Sequence, residues 1–291
     1  MRKRNYTATG VEALIVAAFF YAGTNALVRY MSPMWGDQAQ VFARFALAAI
    51  ILVIFNYFRK KHIRKSLEGN WGLAIVLSIL QALAILFYTL AVQETTIANM
   101  LFVSYATTMI VQFLLGTLVL KEKVERTKLL AILLSFIGLA LYSHSFRVAI
   151  DAGIIFSVLA GVTGAFVNLI YKKLAAVDRG VVLQVQYGLG AVLLLVLTFM
   201  LGGDFIRTVS IEGILITIAY AVTILIASYL LLYGYRKVDV SIGTVLSSTE
   251  LVFGVIIGFL LFSEIPNTWE LSSGVLITVG AIVGAIGQKG R

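Results

Sequence analysis

The sequence predicts an all-α membrane protein: ten transmembrane helices arranged as two inverted five-helix repeats around a central cavity. Three observations predict it. The composition is too apolar for a water-soluble globule, ten apolar runs are each long enough to cross a bilayer, and a weak internal repeat has a period that spans an odd number of those runs.

Hydrophobic residues make up 60% of the 291 and charged residues 13%, with a mean hydropathy of +0.97. A soluble domain carries about 25% charge, so this chain lacks the polar surface to face water. There is no cysteine, which excludes a disulfide framework and a thiolate metal site. His62 and His144 fall in or beside loops and cannot form a zinc cluster alone, so neither a metal nor a cofactor is expected. The net charge of +9 does not point to nucleic acid, because the basic residues are scattered through short loops between apolar runs.

A membrane helix needs about 20 apolar residues to cross a core of about 30 Å. Spans are predicted at 11–31, 38–58, 71–93, 98–120, 127–146, 152–173, 181–201, 211–235, 241–262 and 268–288. The start, Met1-Arg2-Lys3-Arg4, resembles a signal peptide, but the following apolar run is too long and lacks a small-residue cleavage site, so the first span is expected to be retained. Pro33 and Pro266 lie in loops and interrupt no span. Gly254/Gly258 and Gly280/Gly284 form GxxxG pairs, which let helix backbones approach closely in lipid.

Placing the N-terminus in the cytoplasm and alternating puts 19 of the 23 basic residues on that side; the opposite loops hold only Arg147 and Arg207. The positive-inside rule therefore predicts a multi-pass protein of the cytoplasmic (inner) membrane with both termini cytoplasmic.

Shifting the sequence by 142 residues lays 95–140 on 237–282. Glu122 then meets Glu264, Gly116 meets Gly258, Gly138 meets Gly280 and Thr107 meets Thr249. A shift of 143 brings Gly10 to Gly153, Asn25 to Asn168 and Arg29 to Lys172. Apolar helices resemble one another by chance, so the polar and glycine matches carry the weight. Halves of 1–147 and 148–291 hold five spans each, and an odd number forces them to insert with opposite orientation. Inverted repeats are a recurring design in transporters, with binding near the midplane and alternate opening to each side. One chain then suffices for function, so a monomer is expected.

Particular motifs add a family resemblance. The first helix carries Phe20-Tyr21-Ala22-Gly23-Thr24-Asn25 and the second Arg44-Phe45-Ala46-Leu47-Ala48-Ala49. Each half ends in helix, Glu-containing hinge and helix: Leu120-Lys121-Glu122-Lys123 before Gly138, and Phe262-Ser263-Glu264-Ile265 before Gly280. In these features the chain resembles the drug/metabolite transporter superfamily, specifically its EamA-type ten-helix members. The resemblance implies export, sometimes import, of amino acids and other small metabolites, and names no single substrate. One departure stands out. The family often has proline thirteen residues before each hinge glutamate, where this chain has Met109 and Leu251. Thr107-Thr108 and Ser247-Ser248-Thr249 are then the candidates to loosen the backbone there.

Glu250, in the ninth predicted helix, is the one acidic residue in mid-span. A charge at the bilayer centre costs about 2.5–3.5 kcal/mol on insertion scales, so such residues mark pathways and proton relays. Two readings of Glu250 stay open: a carboxyl that couples proton movement to solute movement, and a hydrogen-bonded glutamic acid that stitches helices together. Other polar residues recur at helical spacing and so share faces. Tyr21, Asn25 and Arg29 do so in the first helix, Ser78, Gln81 and Tyr88 in the third, and Ser104, Thr108 and Gln112 in the fourth, with Tyr105 beside them. Gly161, Gly164 and Asn168 follow in the sixth, Tyr220 and Thr223 in the eighth, and Ser247, Glu250 and Gly254 in the ninth. Polar groups facing lipid go unsatisfied, so these stripes point inward, either to a solute pathway or to helix–helix hydrogen bonds. The candidate pathway residues are Tyr21, Asn25, Gln81, Tyr88, Tyr105, Thr108, Gln112, Asn168, Tyr220, Ser247 and Glu250. Arg44 is a candidate counter-charge to Glu250 or to a substrate carboxylate, or a residue that snorkels outward. The hinge residues Glu122 and Glu264 read as helix caps or partners of neighbouring Lys and Arg.

An enzyme is not expected. All five aspartates lie outside the spans, no mid-span histidine or cysteine exists, and no nucleophile sits beside a base. A GxxxxGK[ST] loop is also missing, so nucleotide-driven pumping within the chain is excluded. The expectation is a secondary active transporter for small molecules, working in membrane lipid with protons as the candidate driving ion, and a passive facilitator or exchanger on the same fold is the alternative.

Overall fold

The protein is described by a computed structural model that covers residues 2–31, 34–95, 97–143, 152–200, 207–208 and 210–289. Its helices are α1 (Arg2–Met31), α2 (Asp37–Phe58), α3 (Ile63–Ser66), α4 (Trp71–Glu94), α5 (Ile97–Leu118), α6 (Arg126–Ser143), α7 (Ala152–Lys173), α8 (Arg179–Met200), α9 (Ile211–Lys237), α10 (Val240–Ser247), α11 (Glu250–Phe262) and α12 (Thr268–Lys289). Among the described residues nine spans are long and apolar enough to cross a membrane, with α10 and α11 forming one of them. α6 is the tenth and packs along α12. Runs of Leu, Ile, Val, Ala and Phe take the helical form here because a helix satisfies its own backbone groups where water is absent.

The packing repeats when each span is replaced by the one five later. α1 lies along α9, and its counterpart α7 lies along α4. α1 also meets α10 and α11, as α7 meets α5. α2 pairs with α8 and α6 with α12, each joining equivalent spans of the two halves. The fold is therefore two inverted five-helix repeats. The 147/148 boundary between the predicted halves, with His144 and Arg147, lies outside the described residues, as does Pro33.

Equivalent glycines make equivalent contacts. A Cβ on Gly138 would meet the Ser273 carbonyl and the Ile277 amide at 3.1 Å each; one on Gly280 would meet the Ala131 carbonyl at 3.0 Å and the Ser135 amide at 3.2 Å. Residues 131 and 273, and 135 and 277, are themselves related by the 142-residue shift. Gly284 packs on Ile242 and Ala131, so the Gly280/Gly284 pair is a packing pair as read from sequence. Gly254 has nothing within 4 Å and Gly258 faces Glu264 of its own hinge, so the other GxxxG pair joins no helices.

The two hinges are built alike. Lys121 and Ser263 both adopt the left-handed conformation at φ 54°, ending α5 and α11. The amide of Glu122 then donates to the Gly116 carbonyl at 2.9 Å, and that of Glu264 to the Gly258 carbonyl at 3.2 Å, each six residues back, so both hinges fold over a free carbonyl of the helix end in the same way.

Contacts between loops also sort by side. At one end of the bundle Lys237 Nζ donates to Thr9 Oγ1 at 2.8 Å, Lys128 pairs with Asp239 at 2.9 Å, and Arg59 pairs with Asp178 at 3.1 Å. At the other, the Arg207 amide donates to the Met34 carbonyl at 2.8 Å, Trp35 Nε1 donates to Thr217 Oγ1 at 3.2 Å, and Tyr30 stacks on Phe262 at 5.6 Å. The first group joins loops that the charge pattern assigns to one side; the second joins the opposite ones.

Asp178 caps α8 by accepting from the Gly180 amide at 3.0 Å while pairing with Arg59 and Lys61. Burial alone would raise its pKa, but the hydrogen bonds and charges of Arg59 and Lys61 outweigh burial and hold it below the usual carboxylate range. Its ionic contribution is thus present above the unfolded carboxylate pKa and fades as pH falls through the folded value. Asp178→Asn keeps the cap and removes the charge. With partners that are a third exposed the loss is screened to about 0.2–1 kcal/mol, so the thermal midpoint falls slightly at neutral pH and matches wild type in acid. Gly138→Leu instead forces α6 from α12, and thermal unfolding in detergent should show a loss of about 1–3 kcal/mol.

Candidate functional site

The ninth span is broken at Ser248–Thr249, where α10 stops and α11 begins. No proline is needed. The Ser248 hydroxyl donates to the Val245 carbonyl at 2.8 Å and the Thr249 hydroxyl to the Leu246 carbonyl at 2.6 Å. The Thr249 and Leu251 amides turn to carbonyls three residues back, at 3.3 and 3.1 Å, so the helix tightens locally. The Ser-Ser-Thr run thus interrupts the span without a proline. The equivalent fourth span, α5, runs unbroken through Thr107-Thr108.

Glu250 opens α11, at the middle of the Val240–Phe262 span. Its placement at a helix N-terminus sets a carboxyl group against the positive end of the dipole. Asn25 Nδ2 donates to Oε1 at 3.1 Å, and Tyr105 Oη donates to Oε2 at 2.6 Å. One side chain of the second half is thereby joined to α1 and α5 of the first. Asn25 itself is exposed, while Glu250 and Tyr105 are half-buried.

The repeat-related Asn168 makes the corresponding connection. Its Nδ2 donates to Gln112 Oε1 at 3.4 Å, joining α7 to α5 as Asn25 joins α1 to α11. Gln112 Nε2 and Ser247 Oγ, both beside the Tyr235 hydroxyl, meet no partner with hydrogen-bond geometry.

Arg44 does not pair with Glu250. Its guanidinium lies 4.7 Å over the Tyr220 ring, and its Nε is buried without a partner. The aromatic face attracts the cation electrostatically, and this contact, with the buried Nε, directs the Arg44 side chain into the bundle toward α9. Tyr21 Oη lies 3.1 Å from Ser228 Oγ, which is 2.7 Å from Tyr187 Oη. Tyr88 packs half-buried on the core, and Gln81 is half-buried.

Thr108 makes helix–helix hydrogen bonds, one of the two placements the sequence left open for its stripe. Its hydroxyl donates to the Ser104 carbonyl at 2.7 Å and the Gly161 carbonyl at 3.1 Å, and Ser104 donates to the Ser157 carbonyl at 3.1 Å. A Cβ on Gly161 would sit 2.6 Å from the Ser104 carbonyl. This stripe seals α5 to α7, because a hydroxyl at a close helix crossing satisfies itself on the neighbouring backbone.

Sequence periodicity missed Tyr187, Ser228, Tyr171 and Gln186. Tyr171 Oη donates to Gln186 Oε1 at 2.9 Å, and both residues are fully buried. Single polar residues in apolar helices show no stripe, and only their burial in lipid marks them. A separate cleft of about 350 Å³ opens between α6, α11 and α12, lined by Leu251, Val255, Gly274 and Ile277. None of the predicted pathway residues lines it. Among the described residues no His, Cys, Asp or Glu group is arranged to hold a metal.

The model of the EamA-like transporter family matches twice along the chain, at residues 8–144 and 151–285. The chain belongs to the EamA-like transporter family. It is a membrane transporter, and EamA-like proteins are not enzymes. Among curated relatives it is 23% identical over 283 residues to the pseudopaline exporter CntI of Pseudomonas aeruginosa, covering 97% of this chain and 98% of that one. An uncharacterized transporter of Helicobacter pylori is 22% identical over 296 residues, covering 96% and 98%. A solved crystal structure superimposes with a TM-score of 0.79 at 18% identity, over 97% of this chain and 98% of that one, which shows that the two share a fold.

If Thr108 serves packing, Thr108→Val lowers the unfolding temperature of the purified protein, by about 1 kcal/mol for a lost buried hydrogen bond. Transport per folded molecule stays at the wild-type rate. A variant of full stability with altered solute affinity would return Thr108 to the pathway.

Proposed function

We propose that this chain is a secondary active transporter that moves small metabolites, amino acids or related compounds, out of the cytoplasm, with Glu250 coupling proton movement to solute movement. The observation that carries this reading is the position of Glu250: a carboxyl group in mid-span, at the only break in a described spanning helix, bonded to both α1 and α5. The basic end of the bundle is the cytoplasmic one, by the positive-inside rule. Halves divided near 147/148 rock about the site, as inverted repeats do. The outward direction is supported by the printed function of the Pseudomonas relative, an exporter.

The chemistry follows from the hydrogen bonds. An ionised carboxylate accepts from both Asn25 and Tyr105. A proton on Oε2 turns that oxygen into a donor, and Tyr105 must then accept or let go. Proton uptake thereby loosens the link between α5 and α11, and a solute amine or hydroxyl can take the vacated position. Asn25, Asn168, Gln112, Ser247, Tyr21, Tyr88 and Tyr220 line the route, with Arg44 over Tyr220 able to meet an anionic group of the solute. One chain carries the whole route.

Glu250→Gln keeps size and one acceptor and removes titration. In liposomes screened with amino acids and related metabolites, wild-type flux should rise with a pH gradient, and the variant should lose about tenfold or more of that gradient-driven component. Gradient-driven flux equal to wild type in Glu250→Gln would end the coupling role. Wild-type flux indifferent to the gradient would make the protein a facilitator or exchanger.

A further inference from the structure

The hinge after α5 does more than end a helix. Glu122 Oε1 accepts from the Val240 amide at 2.6 Å, and Oε2 accepts from Ser241 Oγ at 2.8 Å, so the carboxylate of the first half caps the start of α10 in the second. Lys128 Nζ lies 3.0 Å from Glu122 and 2.9 Å from Asp239. The Lys128 side chain is 2% exposed and that of Glu122 6%. Close by, Lys172 Nζ donates to the Val238 carbonyl at 2.7 Å. This is a desolvated ion cluster that clamps α6 and the α5 hinge onto the α9–α10 turn, at the basic end.

Burial follows the clamp. Every residue of α10 from Val240 to Leu246 is buried. Beyond the break, only Leu251 and Gly258 of α11 are. α10 is thus enclosed by the bundle on the basic side of Glu250, and α11 lies at its surface on the other.

The repeat supplies the comparison. The 142-residue shift carries Glu122 to Glu264 and Lys128 to Glu270. Glu264 folds back over Gly258 as Glu122 does over Gly116, at 2.7 and 2.6 Å from the respective Cβ positions. The cation of one hinge is therefore an acid in the other. At the basic end the cation pairs with its hinge acid, whereas Glu270 at the equivalent place accepts from the Asn267 amide at 2.9 Å and caps its own helix.

We infer that Lys128 is a positioning residue of the transport cycle: its ion pairs with Glu122 and Asp239 hold the basic-end gate closed, and the change to Glu270 at the equivalent site leaves the opposite gate favoured open. This rests on the alternating-access reading above. It deepens that reading by assigning the resting state to particular charges.

The chain has no native cysteine, so single-cysteine reporters need no prior substitution. Thr244→Cys in α10 reports opening at the basic end, and Asn25→Cys reports opening at the other. Each is labelled with a membrane-impermeant maleimide from a chosen side of oriented vesicles. Lys128→Met should raise labelling of the Thr244→Cys reporter from the basic side by about tenfold, and Lys128→Arg should leave it at the background rate. Glu270→Lys, which leaves the clamp untouched, should lower labelling of the Asn25→Cys reporter from the other side by about fivefold, because it installs at the far hinge the pair that Lys128 makes.

Unchanged labelling in both Lys128→Met and Glu270→Lys would overturn the inference. So would equal effects of Lys128→Arg and Lys128→Met. A misfolded Lys128→Met protein leaves the Glu270→Lys arm decisive. Labelling reads conformation without any solute. Reporters that respond while no compound is carried would therefore uphold the gate and overturn the transport proposal, and flux with unresponsive reporters would do the reverse.

Discussion

A bilayer core offers no partner to a polar group, and every structural choice in this chain follows from that. Backbone amides and carbonyls close on themselves as helices. Side chains that carry hydroxyl, amide or carboxyl groups must then find each other across helix crossings. Ser104, Thr108 and Ser157 do so by returning to carbonyls, which pins α5 to α7. Asn25, Tyr105 and Glu250 do so by meeting side chain to side chain. The first kind of bond is fixed once made, because a carbonyl cannot titrate or turn away. The second kind can be exchanged for a bond to a proton or a solute, and this difference separates scaffold from mechanism.

The two halves share architecture and differ where it counts. Each pairs an asparagine from its first span with a residue of the span that crosses it, and each closes its hinge with a left-handed residue and a glutamate folded over a glycine. Only the second half breaks its crossing span. Thr107-Thr108 and Ser248-Thr249 are both hydroxyl pairs, but Thr108 bonds the Ser104 carbonyl of its own helix and the Gly161 carbonyl of α7, whereas Ser248 and Thr249 bond carbonyls three residues back in their own helix. Only at the second pair do the backbone amides shift to the same three-residue spacing, and there the span breaks.

Much of this was legible from residues alone. Apolar length gave the spans, and the glycine and glutamate matches at a 142-residue shift gave the repeat, since those positions carry the same backbone constraints in both halves. Glu250 stood out because no other acid lies in mid-span. The misses have a common cause. Periodicity shows which residues share a face, and it cannot show what that face meets. Tyr105 and Thr108 stand three residues apart on one helix and looked equivalent, yet Thr108 reaches α7 and Tyr105 reaches α11. Arg44 could be placed inside the bundle but not over Tyr220, because the crossing of α2 and α9 is a tertiary fact. Tyr187 and Ser228 carried no signal beyond being polar in an apolar run.

A mirrored fold poses its own thermodynamic problem. If the two halves were identical, the states open to each side would be related by symmetry and equal in energy, and solute binding could favour neither. A resting preference must come from positions where the halves differ while their geometry agrees. Hinge charges meet that condition better than pathway residues. Glu250 has Thr108 as its counterpart, a substitution that changes chemistry and packing together. Lys128 and Glu270 stand six residues after hinge glutamates whose backbones match, yet one is a buried cation paired with its hinge acid and the other a half-buried acid bonded to the Asn267 amide. Buried at 2% exposure, the Lys128 charge acts in a medium where screening is weak. Direction can thus be written into an otherwise symmetric scaffold at its rim, leaving the centre free to be shaped by the solute.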